Sequence, residues 1–286
     1  MQKFNNSVAV VTGAGSGIGQ QLAYQLGDAG AKLGIADNNS DTLEQTLQEL
    51  ERRGVKTLAV TLDVSDRAAV FDFAGQVQQQ FGHANLVVNN AGVALGSGSL
   101  LTTSIEDFEW LMGINFSGVL YGTKAFLPIM ELAEWGHVVN ISSLFGLVSV
   151  ASQSAYNASK FAVRGMTDAL RQELKLLDSH ISCTCVHPGG IKTNIARSAR
   201  WIDLGDGNAE QQRDELADNF DKLARTTAES AAQQILKAVI KDKPRLLIGM
   251  DAKLIDKLQR LFPTGYSKIM SKLMGDAERR IINPNS

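Results

Sequence analysis

Cysteine is scarce in this chain. Only Cys183 and Cys185 occur among its 286 residues, both inside "ISCTCVHPGG". A C-x-C pair in an apolar, β-like run turns both thiols to one face, which suits neither a disulfide framework nor a zinc-ligand spacing. Two buried structural thiols fit a reducing compartment. An excess of one charge is missing too: 28 basic and 30 acidic residues leave a formal net charge of −2. Nucleic-acid partners are therefore not expected, since they call for a basic face. No uninterrupted apolar run approaches the roughly 18 residues of a membrane span. The opening "MQKFNNSVAVVTGAG" shows no secretory signal, so the expected location is cytoplasmic. Histidines are few; His187 reads as structural, and His83 and His137 sit at turn-like positions without a ligand pattern, so no metal site is expected.

What the chain does have is a repeated alternation. Its apolar content is 44% and its charged content 20%, enough for a substantial core. The runs 8–13, 32–37, 57–64, 85–92, 136–143, 181–189 and 245–249 each read as a buried strand, and near-continuous apolar runs suit a parallel sheet covered on both faces. Helical period separates the first six, as with Leu43, Leu47 and Leu50 in "TLEQTLQELERRG", which ends at a glycine. The expectation is an α/β fold: a doubly wound parallel sheet of the Rossmann type, with about seven strands and helices on both faces. Low-complexity linkers and fixed-period repeats are absent, so residues 1–249 read as one domain. Within it 190–228 form a polar substrate-loop insertion, and 250–286 form an amphipathic C-terminal extension.

The first strand runs into "TGAGSGIG", Thr12 to Gly19. Gly13, Gly15, Gly17 and Gly19 lie between a strand and a helix, where backbone N–H groups approach a phosphate closely and the helix N-terminus favours negative charge. About twenty residues on, Asp37 closes the second strand. A carboxylate there accepts hydrogen bonds from an adenosine ribose and repels a 2′-phosphate. No arginine follows in "NNSD", so NAD(H) is favoured and NADP(H) is the alternative. Asp63 in "LDV" ends the third strand, near where an adenine would lie.

Further along, "SAYNASK" sets Tyr156 four residues before Lys160, which places a phenol and an ammonium on one helix face. Together with "TGAGSGIG", "LDV", "NNAG" (89–92), "IN" (114–115), "NISS" (140–143) and "HPG" (187–189), this order resembles the short-chain dehydrogenases/reductases, from about residue 7 to about 193. The resemblance implies a catalytic set of Asn115, Ser143, Tyr156 and Lys160. Ser142 is a rival for the serine role, which the spacing to Tyr156 and the glycine at 146 give to Ser143. It also implies cofactor contacts from Gly13, Ser16, Gly17, Ile18 and Gly19, from Asp37, Asp63 and Val64, from Asn89, Ala91 and Gly92, from Tyr156 and Lys160, and from Pro188, Gly189, Ile191 and Thr193. Tyr156 would be the general acid/base, its pKa brought down by the Lys160 ammonium and a positively charged nicotinamide ring. Ser143 would steady the substrate oxygen, and Asn115, in an irregular helix, would hold a water in a proton relay from Lys160. The family implies a homodimer or homotetramer.

The substrate side is less defined. It should be built from 93–100, 144–155 and 190–225. Leu144, Phe145, Leu147 and Val148 either line a pocket for an apolar secondary alcohol or ketone, or pack the loop. A non-catalytic dinucleotide sensor is the rival function class, which an intact four-residue set argues against. In the extension, Leu254, Ile255, Leu258, Leu261 and Phe262 fall at helical spacing, with Lys253, Lys257 and Arg260 opposite and a second stripe starting at Ile269. The expectation is that this stripe packs on its own domain or a sister subunit; membrane-surface contact through 252–274 is the less favoured alternative.

Overall fold

The computed structural model describes residues 2–96, 99–201, 214, 218 and 224–269. Parts of the 93–100 and 190–228 loops and the end of the C-terminal extension, including most of its second stripe, therefore lie outside the described residues.

All seven expected strands form: β1 (Val8–Thr12), β2 (Lys32–Asp37), β3 (Thr57–Thr61), β4 (Leu86–Asn89), β5 (Gly136–Ile141), β6 (Ile181–Pro188) and, after two short strands, β9 (Arg245–Ile248). They pair in parallel in the order β3-β2-β1-β4-β5-β6-β9. The strands stop short of the apolar runs, so Gly13, Leu62 to Val64, Asn90 to Gly92, Ser142 and Ser143 fall in loops at the carboxyl ends. Asp63 accordingly sits beyond β3, in a turn where it accepts from the Ser65 N–H and hydroxyl, both 2.8 Å. The short strands β7 (Ile191–Lys192) and β8 (Thr226–Thr227) pair with each other; nothing in the polar 190–228 stretch signalled them.

The reading of strands buried on both faces has a direct cause. Ala9 and Val11 of β1 point into one core with Leu22 and Leu26 of α1 (Gly17–Asp28), Leu43 and Leu50 of α2 (Ser40–Arg52) and Ile235 of α7 (Ala228–Ile240). Val8 and Val10 point the other way, toward Phe73 and Val77 of α3 (Arg67–Phe81) and Phe126 and Met130 of α5 (Gly118–Met130). Phe73 and Phe126 meet edge to face at 5.8 Å, a pair that contributes about 0.5–1.5 kcal/mol beyond its buried area. Helix α2 ends as expected, with Gly54 at φ +72° just past it.

Strand order reverses between β1 and β4, which opens a crevice at the carboxyl ends of these neighbours. Three further helices complete the fold: α4 (Ile105–Met112), α6 (Ser154–Leu176), and α8 (Met250–Leu261) from the extension, which packs beside β9.

Candidate active site

At the glycine turn, sterics decide the residue type. Gly13 and Gly17 take φ of +65° and +54°, and a Cβ at Gly19 would stand 2.0 Å from the Gly13 carbonyl. Helices α2, α3, α4 and α7 carry side-chain caps from Asn39, Asp66, Ser104 and Thr227, but Ser16 gives α1 none. The first N–H groups of α1 are left for an outside acceptor, beside a cradle that any Cβ would fill. That fits a dinucleotide pyrophosphate. Asp37 is more than a solvated turn residue: Oδ2 accepts from the Gly15 N–H at 2.8 Å and Oδ1 from the Asn39 N–H at 3.0 Å. It ties the end of β2 to the turn and retains lone pairs for ribose hydroxyls.

The loop after β4 divides the expected contacts. The Asn89 side chain turns into the interior and donates to Asn140 Oδ1 (2.8 Å) and Thr123 Oγ1 (3.1 Å), so its amide is committed to the sheet. Asn90, which sequence reasoning passed over, donates to the carbonyls of Thr12 and Gly13 at 3.0 and 3.1 Å and so braces the glycine turn. Thr12 Oγ1 accepts in return from the N–H groups of Asn90 and Ala91. Gly92 marks where the loop meets Asn115 and Lys160: a Cβ there would lie 3.2 Å from Asn115 Oδ1 and 3.4 Å from Lys160 Nζ. Val64 is buried against Gly118, and Ile18 packs partly buried on the sheet.

Asn115 lies in a π-helical turn, Gly113–Ser117, between α4 and α5. Its fully buried side chain accepts from the Val93 N–H (2.8 Å) and donates to the Val93 carbonyl (2.9 Å). Ser142 and Ser143 separate by what they bond. Ser142 donates to the Lys160 carbonyl at 2.8 Å, in a space kept open by Gly146. Ser143 accepts from the Phe145 N–H, and its hydroxyl is near enough to Tyr156 to draw the phenol's pKa down. Lys160 is buried on α6, donates to the Ile141 carbonyl at 3.2 Å, and holds Nζ 5.5 Å from the Tyr156 ring centroid.

Without a dinucleotide's charge, burial sets the electrostatics of the pair. Burial dominates at Tyr156 and raises its pKa above the usual value, with the neighbouring Ser143 hydroxyl pulling the other way. Burial also lowers Lys160 to about 8. Part of the tyrosine surface is open to water, but dense protein around the hydroxyl disfavours the phenolate.

His187 supports the serine from below: its Nδ1–H donates to the Ser143 carbonyl at 2.9 Å, and burial holds its pKa at about 4. His137 is not in a turn; it is a buried β5 residue bonded to Thr184 Oγ1 at 2.7 Å. Among the described residues no three His, Cys, Asp or Glu side chains form a metal-binding group. Thr193 lies across the start of α1, where a Cβ on Gly17 would meet its methyl group at 3.1 Å.

On the substrate side, Leu144, Leu147 and Val148 are buried against Ala252. Phe145 alone of that group meets Tyr156, edge to face at 6.0 Å. Trp201 covers Gly96, and Arg200 stacks on Trp110 at 3.9 Å while pairing with Asp107 at 3.2 Å. These lie far apart in sequence and carried no signal. A space of about 10 Å³ remains beside Tyr156, bounded by Leu95, Gly96 and Ala155. The larger groove, about 520 Å³ between Val150 and Phe161, lies along the outside of α6 and away from the chemistry.

With this geometry in view, comparison with known proteins is decisive. A sequence profile for short chain dehydrogenases matches residues 7–201. The chain belongs to the short-chain dehydrogenase/reductase family. As a member of it, this protein is an oxidoreductase acting on CH–OH groups with a nicotinamide dinucleotide as acceptor. It is 43% identical over 272 residues to SadH of Mycobacterium tuberculosis, named as a candidate oxidoreductase, covering 95% of this chain and 96% of the relative. It is 36% identical over 255 residues to the Bos taurus dehydrogenase/reductase SDR family member 7B, covering 85% and 74%. A short-chain dehydrogenase/reductase from Burkholderia phymatum, solved in complex with NAD, superposes with a TM-score of 0.80 at 29% identity, over 100% of this chain and 99% of that one.

Proposed function

We propose that the protein is an NAD(H)-dependent oxidoreductase of apolar secondary alcohols and ketones, with Tyr156 as the general acid/base. The observation that carries this reading is the convergence of Ser143, Tyr156, Lys160 and Asn115 beside a glycine turn whose helix is left uncapped. When bound, the dinucleotide supplies or takes up the hydride. The turn 13–19 would hold its pyrophosphate, Asp37 its adenosine ribose, and Thr193 would face the nicotinamide end. Ser143 Oγ would hydrogen-bond the substrate oxygen and stabilise charge developing there. Tyr156 would give its phenolic proton to that oxygen in reduction, or take it in oxidation. Because burial raises its pKa, the phenol holds its proton at neutral pH and suits ketone reduction, while oxidation gains as pH rises. Lys160, mostly protonated below about pH 8, favours the phenolate as it forms. Asn115 stands beside it as the entry of a relay to solvent.

Residues 1–249 act in this reading as one catalytic unit, in a cytoplasmic enzyme that assembles as a homodimer or homotetramer. The apolar edges of Phe145 and Leu95 beside Tyr156 favour an apolar substrate. Among the described residues no helix is long and apolar enough to cross a membrane.

Fluorescence titration with NADH and NADPH, on the protein and on Asp37→Ala, tests the cofactor assignment. NADH should bind at least about tenfold more tightly, a difference of about 1.4 kcal/mol, with the preference lost in the variant. Equal or tighter NADPH binding overturns it. A panel of cyclic and linear ketones then tests the reaction.

A further inference from the structure

Helix α8 lies beyond residues 7–201 that match the family, yet it reaches both loops of the site. We propose that Asp251 and Tyr266 are positioning residues: together they clamp the turn after β6 and the loop after Ser143 in register with Tyr156. The inference rests on the oxidoreductase reading above and deepens it.

Asp251 stands in the first turn of α8, and its Oδ2 accepts from the Gly190 N–H at 2.7 Å. Two glycines make room for that carboxylate. A Cβ at Gly189 would stand 2.2 Å from Oδ2, and one at Gly249, where φ is +96°, 2.2 Å from Oδ1. The Gly189 N–H donates to Ile248 at 2.9 Å, closing the turn onto β9. This turn leads directly into Ile191 and Thr193. Past the end of α8, the Tyr266 hydroxyl accepts from the Ser149 N–H at 3.1 Å, on the loop that starts at Ser143. Ala252 is fully buried between the two contacts, against Leu144, Leu147 and Val148. Below them Asp256 accepts from Arg245 and Arg260 and fastens the helix to β9. Both clamp contacts take backbone N–H groups of site loops, so losing one frees a loop without opening the core.

The two contacts predict different defects. Asp251 holds the turn on the nicotinamide side, so its loss should act on cofactor affinity. Tyr266 holds the serine loop, so its loss should act on turnover. The test uses the full chain with Asp251→Ala, Asp251→Asn and Tyr266→Phe, reading NADH affinity, kcat and KM for the fastest ketone of the panel, and amide hydrogen exchange. Asp251→Ala should weaken NADH binding about tenfold, the scale of one lost charge-assisted hydrogen bond, and Asp251→Asn, which keeps an acceptor, should restore most of it. Tyr266→Phe should lower kcat several-fold with NADH affinity within about twofold. Exchange should accelerate at 188–193 in the first variant and at 144–150 in the last. Unchanged exchange in these loops, or a lower melting temperature with affinity and kcat intact, overturns the clamp. If the unmodified protein neither binds dinucleotides nor reduces any ketone, the proposed NAD(H)-linked ketone reaction falls, and the exchange data still decide the clamp.

Discussion

The two halves of the crevice are built in different ways. On the dinucleotide side, β1, β2, β4 and the start of α1 lie within 92 residues, and short-range backbone geometry does most of the shaping. Gly13, Gly17 and Gly19 have the residue type that their dihedrals and contacts demand, and Asp37, Thr12 and Asn90 pin the turn in place. On the substrate side, Ser143 and Tyr156 depend on partners much farther along the chain. His187 reaches the Ser143 carbonyl, Tyr266 holds Ser149, and Ala252 packs under Leu147. The first half is therefore shaped mainly by backbone sterics at its glycines, and the second mainly by contacts from elements later in the chain.

Substituting one glycine in each half should separate the two. Gly19→Ala forces a methyl group onto the Gly13 carbonyl at 2.0 Å. Overpacking of this kind costs about 1–3 kcal/mol, so NADH affinity should drop by roughly tenfold to a hundredfold. Gly146→Ala meets Ser142 Oγ at 2.3 Å and the Lys160 carbonyl at 2.7 Å. It should lower kcat by about tenfold through the same kind of strain while NADH affinity stays within twofold. Equal effects of both on cofactor binding would erase the distinction.

A smaller effect comes from pH. His137 and His187 are buried and held neutral, each with its pKa brought down to about 4 by desolvation. As pH falls through about 6.5 the unfolded chain takes up these protons while the folded protein does not, so stability declines from there to about pH 4. Urea midpoints should fall over that window, and less steeply in His187→Asn. A flat midpoint between pH 6.5 and 4.5 would contradict this.

The same contrast explains what was legible in the sequence. All seven main strands were readable because apolar runs of this length have few other uses, and the glycine turn because its spacing follows backbone sterics. Asn115, Ser143, Tyr156 and Lys160 were found through the family resemblance, and the structure brings them together; the i, i+4 spacing alone supplied only Tyr156 and Lys160. Tertiary structure adds two details that the residue pattern left open. Asn89 spends its side chain inside the sheet, while Asn90 serves the turn; one residue of shift in a strand reverses the face. Leu144, Leu147 and Val148 pack under α8. That helix buries Ala252 and Asp256 and packs Ile255 on its own domain, while Leu254, Leu261 and Phe262 stay exposed on the side a sister subunit would cover. Asp251, Tyr266, Arg200 and Trp201 were invisible, because a single acid or aromatic carries no period and finds its partner only in three dimensions.

The central claim is that Tyr156 moves the proton. Tyr156→Phe keeps the ring that meets Phe145 and removes only the hydroxyl, so it should bind NADH within about twofold of the unmodified protein. Single-turnover reduction of the best panel ketone should slow by about 10²–10⁴-fold, the usual contribution of a positioned acid. Turnover within tenfold of the unmodified protein, with NADH binding intact, would contradict that claim directly.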